Sequence, residues 1–149
     1  MSVEPCEALD AVATVVVDAA LEVHRHLGPA FSESVYENAL CHELTARGVR
    51  FERQVFVPVH YKDRLVGTGR ADLLVSGILV VELKALPALA PVHTAQVLSY
   101  LRAMNLTLGL LLNFGERRLK TGCKRVVLTG QPQNLLGDLA AWRPPPRSG

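Results

Sequence analysis

The stretch from residue 70 to residue 84, RADLLVSGILVVELK, limits the fold more than any other part of the chain. It holds two runs of apolar and β-branched residues, which are typical of strands, on either side of a Ser-Gly pair that is typical of tight turns. The segment therefore predicts two neighbouring strands. Asp72, Glu82 and Lys84 interrupt the apolar runs, and burying an unpaired charge costs several kcal/mol, so these charges need compensation.

The length of the loop between the two strands decides whether the carboxylates meet. A two-residue loop leaves Asp72 facing away from Glu82. A three-residue loop over residues 76–78 pairs Asp72 with Glu82 directly, and such loops often hold Gly in a left-handed conformation. Glu82 and Lys84 are two residues apart in a strand and therefore share a face. With the longer loop, all three charged groups lie together.

The rest of the chain alternates between helical and strand patterns. Residues 106–113 are so uniformly apolar that they predict a strand covered on both faces, inside a sheet with helices against it. The element order predicts an α/β sandwich around a mixed central sheet. Spacings of three and four predict helices over about residues 4–27, 32–47 and 92–103, and strands are expected over 49–61, 65–75, 78–84, 106–113 and 124–128.

Length and composition describe one ordinary domain. The 149 residues, 49% apolar and 20% charged, predict a single globular domain over residues 1–130. A Pro-rich tail follows over residues 131–149 and cannot form a regular element at its three consecutive prolines. Sixteen Lys and Arg against fourteen Asp and Glu give a net charge of +2, which permits a nucleic-acid partner without demanding one.

Several classes of protein are disfavoured by the sequence. The longest apolar stretches are far shorter than the roughly 18 residues that span a bilayer, so no membrane partner is expected. The acidic start of the chain lacks the cationic region of a signal peptide, and a cytoplasmic location is the expectation. Cys6, Cys41 and Cys123 are widely spaced with no CxxC pair, which predicts free thiols.

The charged residues of the hairpin allow two interpretations. The first is a buried ion pair in which Asp72 or Glu82 is neutralised by Lys84 or Arg70. The second is a divalent metal site, because hard carboxylate oxygens suit Mg²⁺ or Mn²⁺ and leave positions for water and phosphate oxygens. In that case Lys84 would orient a water molecule and neutralise developing charge. An Asp followed by Glu-x-Lys on the next strand is the minimal layout for metal-assisted phosphodiester hydrolysis.

Asp72 with Glu82-Leu83-Lys84 resembles the signature of PD-(D/E)XK nucleases, and the chain around it resembles the bacterial GxxExxY protein family within that superfamily. The resemblance covers about residues 17–127. The first Gly of the GxxExxY motif is Ala30 here. The matching blocks are EVHRHLGPAFSESVYENAL, RADLLV, VVELKA, PVHTAQVLSYL and GLLLNFG.

This resemblance implies a restriction-endonuclease-like fold and a Mg²⁺- or Mn²⁺-dependent nuclease. It also implies a third metal ligand from the helix before the sheet, for which Glu33 is preferred. Glu37 competes because it lies four residues further along the same helix face. With Ser34, Glu37 also fits a capping box, which would make it purely structural.

A second implied element is the QxxxY pattern formed by Gln96 and Tyr100, which support the active site or contact the nucleic-acid backbone in related nucleases. The two residues are four apart and share a helix face. The alternative is that Tyr100 packs in the core and Gln96 caps a neighbouring backbone group. His93 is either a donor behind this site or a helix cap.

Nucleic acid, with DNA as the first expectation, is the predicted partner. Arg70 is the preferred residue for a backbone contact because it precedes Asp72 by two positions. The alternative is a nucleic-acid- or protein-binding module that keeps the fold without turnover, and a homodimer or partner-dependent subunit is a third option. A basic cluster around an expected hairpin predicts a solvated polar hairpin by default, with phosphate binding as the alternative: Arg117, Arg118, Lys120, Lys124 and Arg125.

Overall fold

The computed structural model describes residues 7–129. The predicted start of the first helix and the whole predicted Pro-rich tail lie outside that range. Every predicted element is present within three residues of its expected bounds there. The short helix α4 was not predicted. The helices are α1 (Glu7–Leu27), α2 (Glu33–Ala46), α3 (Pro91–Met104) and α4 (Leu119–Gly122), and the strands are β1 (Phe51–Tyr61), β2 (Arg64–Val75), β3 (Leu79–Lys84), β4 (Leu108–Asn113) and β5 (Cys123–Val127).

One five-stranded sheet follows the order of the chain, β1-β2-β3-β4-β5. Neighbouring strands are antiparallel except β3 and β4, which are parallel and are joined through α3. Parallel neighbours need a crossover, and α3 provides it. The prediction of a mixed central sheet is therefore confirmed.

Helices cover both faces of the sheet. Residues of α1 and α2 form one apolar core with alternate residues of β2, β3 and β4, including Leu73 and Val81. Residues of α3 form a second core on the other face with Val57, Ala71 and Val80. All six residues of β4 are buried, as expected for a strand between two helical layers.

The β2–β3 hairpin has the longer of the two expected loops. Val75 pairs with Leu79 and Leu73 pairs with Val81, so the register brings Asp72 opposite Glu82. Gly77 has φ of 71°, the left-handed conformation expected of a Gly in such a loop. Ser76, with φ of 52°, adopts a positive φ as well. The three-residue loop thus places both carboxylates at the same level of the hairpin.

The β1–β2 pair is interrupted at the level of Asp72. Arg53 pairs with Leu73 and Val55 pairs with Ala71, whereas Gln54, between them, has φ of 51°. Residues on the two sides of this irregularity face different layers, because Leu73 packs against α1 and α2 while Ala71 packs against α3. The register is the same on both sides, so no residue is inserted, and the break changes the face of the sheet to which the side chains of β2 point.

The loop before α2 is held by Tyr36. Its hydroxyl donates to the carbonyl of Gly28 and accepts a hydrogen bond of 3.2 Å from the backbone N–H of Phe31, and its ring stacks on Phe114. The backbone of Ala30 does not have a positive φ. This position therefore does not need a Gly. The motif tyrosine thereby fixes the start of α2.

Membrane spans and thiols were the remaining expectations from the sequence. None of the helices in the described part of the chain is long and apolar enough to cross a membrane. Cys41 and Cys123 are free thiols, as predicted, and Cys6 lies outside the described residues. Burial raises the pKa of both described thiols, which makes them poor nucleophiles.

Candidate active site

Asp72 and Glu82 lie where the backbone pairing of β2 and β3 ends. The N–H of Asp72 donates to Oε1 of Glu82 at 2.8 Å, and the N–H of Leu83 donates to Oδ2 of Asp72 at 2.8 Å. Each carboxylate therefore takes the place of a backbone acceptor between the strands. Within residues 7–129, Oε2 of Glu82 accepts from no N–H donor, and Oδ1 of Asp72 receives only a long contact of 3.4 Å from Gln54.

This arrangement perturbs both carboxyl groups. Glu82 is only 3% exposed, and burial together with repulsion from Asp72 raises its pKa to about 8. Burial and the nearby charge of Glu37 also raise the pKa of Asp72. The charge of Lys84 acts in the opposite direction on both pKa values. Two desolvated carboxyl groups facing each other require a proton or a cation between them.

Glu37 joins the carboxylate pair from α2. Nε2 of Gln54 donates to Oε1 of Glu37 at 2.6 Å and reaches Asp72, so one amide spans both carboxylates. Arg53 donates to Oε2 of Glu37 at 2.7 and 3.1 Å and to the side chain of Asn38. The left-handed backbone at Gln54 explains this geometry, because it turns two consecutive side chains of β1 towards the same helix.

The structure places the two candidate glutamates differently. Glu33 lies in the exposed first turn of α2, whereas Glu37 is buried beside the pair. The capping-box interpretation of Glu37 is wrong, since the N-cap is Ser32 rather than Ser34 and the Glu37 carboxylate is bound by β1 side chains. Four-residue spacing gives both glutamates nearly the same face, and only the position of β1 distinguishes them.

Gln96 and Tyr100 form a linked pair on the α3 side of the sheet. Nε2 of Gln96 donates to the Tyr100 hydroxyl at 3.2 Å, and the Tyr100 ring lies so close to Gly69 that a Cβ there would be 2.7 Å from it. Neither side chain is hydrogen-bonded to Asp72 or Glu82 in the described residues. His93 has the capping role, because its Nδ1 accepts from the N–H of Ala90 at 2.8 Å.

The candidate phosphate-binding cations lie in two separate places on the sheet. Arg70 is exposed on β2, two residues from Asp72. The predicted basic cluster is exposed around α4 and β5, at the edge opposite β1, and Arg125 forms an ion pair with Asp10. Phosphate binding by that cluster remains a prediction.

The donor set near Asp72 is compatible with a hard divalent cation. Within residues 7–129, no three His, Cys, Asp or Glu side chains converge closely enough to hold a metal by themselves. Mg²⁺, however, commonly uses one or two carboxylates and completes its shell with water and substrate phosphate. Asp72 and Glu82 provide such a pair, and their mutual repulsion is what a cation would relieve. The residues present therefore fit a divalent ion.

Comparison with known proteins gives a consistent result. The family model described as the PD-(D/E)XK nuclease superfamily matches residues 10–126. No curated protein and no solved structure matches the chain. The mixed five-stranded sheet with helices on both faces agrees with the restriction-endonuclease-like fold that the sequence resemblance implied. The match covers most of the chain, and the protein belongs to the PD-(D/E)XK nuclease superfamily.

Proposed function

We propose that the protein is a divalent-metal-dependent nuclease that hydrolyses phosphodiester bonds in nucleic acid. The observation that carries this proposal is the direct apposition of Asp72 and Glu82 across the hairpin, with Lys84 two residues further along β3. Among residues 7–129, neither Asp72 nor Glu82 forms an ion pair with Lys84 or Arg70. Burial and the repulsion from Asp72 raise the pKa of Glu82 to about 8. Two carboxylates that no side-chain cation neutralises favour a metal site over a structural ion pair.

In this proposal Asp72 and Glu82 hold Mg²⁺ or Mn²⁺, and superfamily members generally use divalent metals. A bound ion of this type supplies charge neutralisation at the phosphate and a lowered pKa for water. Lys84 places its positive charge beside the same carboxylates, where it stabilises charge that develops on the phosphate. Glu37 acts through Gln54, which sets the distance between α2 and Asp72.

We further assign the chain to the GxxExxY family. The support is the segment that precedes α2, where Tyr36 closes the loop on Gly28 and Phe31. In this assignment the motif tyrosine is structural. The family glutamate Glu33 is exposed, and Glu37 takes the position near the carboxylate pair.

A non-catalytic nucleic-acid-binding module is the second candidate. The observation that favours it is that both oxygens of Glu37 are already bound, one by Gln54 and one by Arg53. Such a protein would keep Asp72 and Glu82 as a proton-sharing pair. The two candidates differ in whether metal binds and whether cleavage follows.

The test is cleavage of labelled single- and double-stranded DNA and RNA by the purified protein, with Mg²⁺, Mn²⁺ or EDTA, together with calorimetric titration of Mn²⁺. We expect metal-dependent cleavage that Asp72→Asn and Lys84→Met reduce by about 100-fold or more. Glu37→Gln should reduce it by about 10- to 100-fold. Its matched control on the same helix, Glu33→Gln, should behave as wild type.

Other results would select among the remaining options. Mn²⁺ binding without cleavage of any substrate would indicate a missing partner chain. Absence of both, with the variants folded, would support the binding module. If Glu33→Gln lost activity and Glu37→Gln did not, the assignment of the helix carboxylate would be wrong.

A further inference from the structure

Phe56 and Arg70 form an exposed cross-strand pair next to the candidate active site. They are direct partners in the β1–β2 register, one step beyond the pair Val55 and Ala71. Phe56 is 61% exposed, and Arg70 is exposed as well. Side chains of direct partners in antiparallel strands stand about 5 Å apart at Cβ. An aromatic ring and a guanidinium group are therefore presented side by side.

The pair lies on the side of the sheet that carries α2. Val57 and Ala71 pack into the core under α3, and adjacent residues of a strand point to opposite faces. Phe56 and Arg70 consequently point away from α3, towards the side from which Glu37 approaches Gln54. Arg70 is two residues from Asp72, which is about 7 Å along a strand. The pair is thus close to Asp72 along β2.

Arg70 forms no ion pair with any other residue of the range 7–129. The ion pairs formed among residues 7–129 involve other cations, including Arg53 with Glu37 and Arg47 with Glu43. A free guanidinium beside an exposed ring has the two features that bind single strands, a phosphate contact and a stacking surface. In a continuous duplex the faces of the bases are covered by their neighbours, so a ring at this position is of use only to an unpaired base.

A second copy of this chain is a poorer occupant of the same surface. β1 is an edge strand, which could in principle add a strand from another molecule. However, Pro58 lacks an N–H, Gln54 is left-handed, and the register shifts between Val59 and His60. Proline and bulges are the devices that protect edge strands from pairing. Pairing of β1 with a strand from a second copy is therefore disfavoured at three positions.

We propose that Phe56 and Arg70 bind the nucleic-acid strand beside the scissile phosphate, with the Phe56 ring stacked on an unpaired base and Arg70 contacting a phosphate. This proposal rests on the proposed nuclease function and deepens it. The substrate class it names is a nucleic acid that is single-stranded next to the cut, as in a single strand, an overhang or a flap. The contacts are common to DNA and RNA.

The test measures binding separately from cleavage. Fluorescence anisotropy is recorded for short labelled single-stranded DNA, single-stranded RNA and a blunt DNA duplex, using the Lys84→Met protein with Ca²⁺ in place of Mg²⁺. We expect single strands to bind more tightly than the duplex. Phe56→Ala should weaken single-strand binding by about 5- to 100-fold, and Phe56→Trp should restore it.

Two further variants separate the roles of ring, charge and general hydrophobicity. Arg70→Ala should lower the slope of log affinity against log salt by about 0.7, the value for one phosphate contact on a single strand. Val92→Ala is the matched control, because Val92 is 65% exposed at the start of α3, away from this face. It should leave binding unchanged.

The outcomes distinguish this proposal from the proposed function. Cleavage by wild type that Phe56→Ala leaves intact, with unaltered single-strand affinity, would overturn the role of Phe56 while the nuclease stands. Single-strand binding that depends on Phe56, in a protein that never cleaves, would uphold the surface and refute the nuclease. Tighter binding of the blunt duplex would overturn the substrate class. A dimer in sedimentation experiments that Phe56→Ala dissociates would show that the face pairs two copies instead.

Discussion

At the scale of single residues, Glu82 is the side chain in which burial and charge are most strongly opposed. Its pKa in the folded protein, about 8, lies above the ordinary value of 4.5. The folded state therefore holds the proton more tightly than the unfolded state does. The resulting contribution to stability is fully present below about pH 4.5 and is lost as the pH rises through about 8. In EDTA, the free energy of unfolding should fall between about pH 6 and pH 9.

Glu82→Gln should remove most of this pH dependence. The amide keeps the oxygen that accepts from the N–H of Asp72 and adds a donor that can face the Asp72 carboxylate. We expect the metal-free variant to be more stable than wild type at about pH 9, by roughly 1–4 kcal/mol, and inactive. Denaturant unfolding of the variant and the wild type in EDTA, at about pH 6 and about pH 9, measures the difference in stability. An unchanged pH slope in the variant would mean that Glu82 is not the titrating group.

Gln54 has a left-handed backbone and a side-chain amide that joins Glu37 to Asp72. Substitution by glycine tests the two features separately. Gln54→Gly relieves a positive φ of 51° but removes the amide that joins Glu37 to Asp72. Relief of strain and loss of a hydrogen bond are each about 1 kcal/mol, so stability should change by less than about 1 kcal/mol. Mn²⁺ affinity or cleavage should fall by about 10- to 100-fold.

The same two measurements decide this prediction. Calorimetric titration with Mn²⁺ and thermal unfolding are made on Gln54→Gly and on Gln54→Asn, which tolerates a left-handed backbone but carries a shorter amide. Normal metal affinity in the glycine variant would refute the positioning role of the amide. A large loss of stability would instead indicate that the amide mainly holds α2 to β1.

At the scale of elements, the contact between α3 and β2 depends on a missing side chain. A Cβ at Gly69 would lie 2.7 Å from the Tyr100 ring, and a Cβ at Gly109 would lie 2.6 Å from Val97. Gly69→Ala and Gly109→Ala should each destabilise the protein by about 1–3 kcal/mol, since both overpack the same helix. Only Gly69→Ala displaces Tyr100 and its partner Gln96, three residues along β2 from Asp72.

We therefore expect cleavage to be reduced more by Gly69→Ala than by Gly109→Ala at a temperature where both variants are fully folded. Initial rates, compared with the melting curves of the two variants, measure the difference. Equal loss of activity would mean that Gln96 and Tyr100 support the fold only.

Elements with strong local signals were predictable from the sequence. The β2–β3 register follows from loop length and turn chemistry, and the buried β4 follows from an unbroken apolar run. The left-handed backbone at Gln54 left no such signal, because Gln is not a residue that marks it. The sequence therefore could not support the proposal of Glu37 over Glu33, since that proposal depends on where β1 side chains lie in space.

At the scale of the whole molecule, the site lies between the two helical layers. Glu37 approaches from α2 on one side of the sheet, and Gln96 and Tyr100 lie with α3 on the other. The hairpin charges between them indicated the candidate site from sequence because they interrupt apolar strands. Their helical neighbours could be assigned only by resemblance, since helix spacing fixes a face but not what that face meets.

The sheet keeps its strands in chain order, and this bears on how the protein folds as it is synthesised. Strands that pair with their sequence neighbours close short loops first, which favours early local assembly. Glu37, Gln54, Asp72, Glu82 and Lys84 all precede α3 and β4 in the chain. These five residues therefore leave the ribosome before the helix and strand that complete the sheet around them. In the nascent chain, the four charged side chains among them stay exposed to water until α3 and β4 pack against the hairpin.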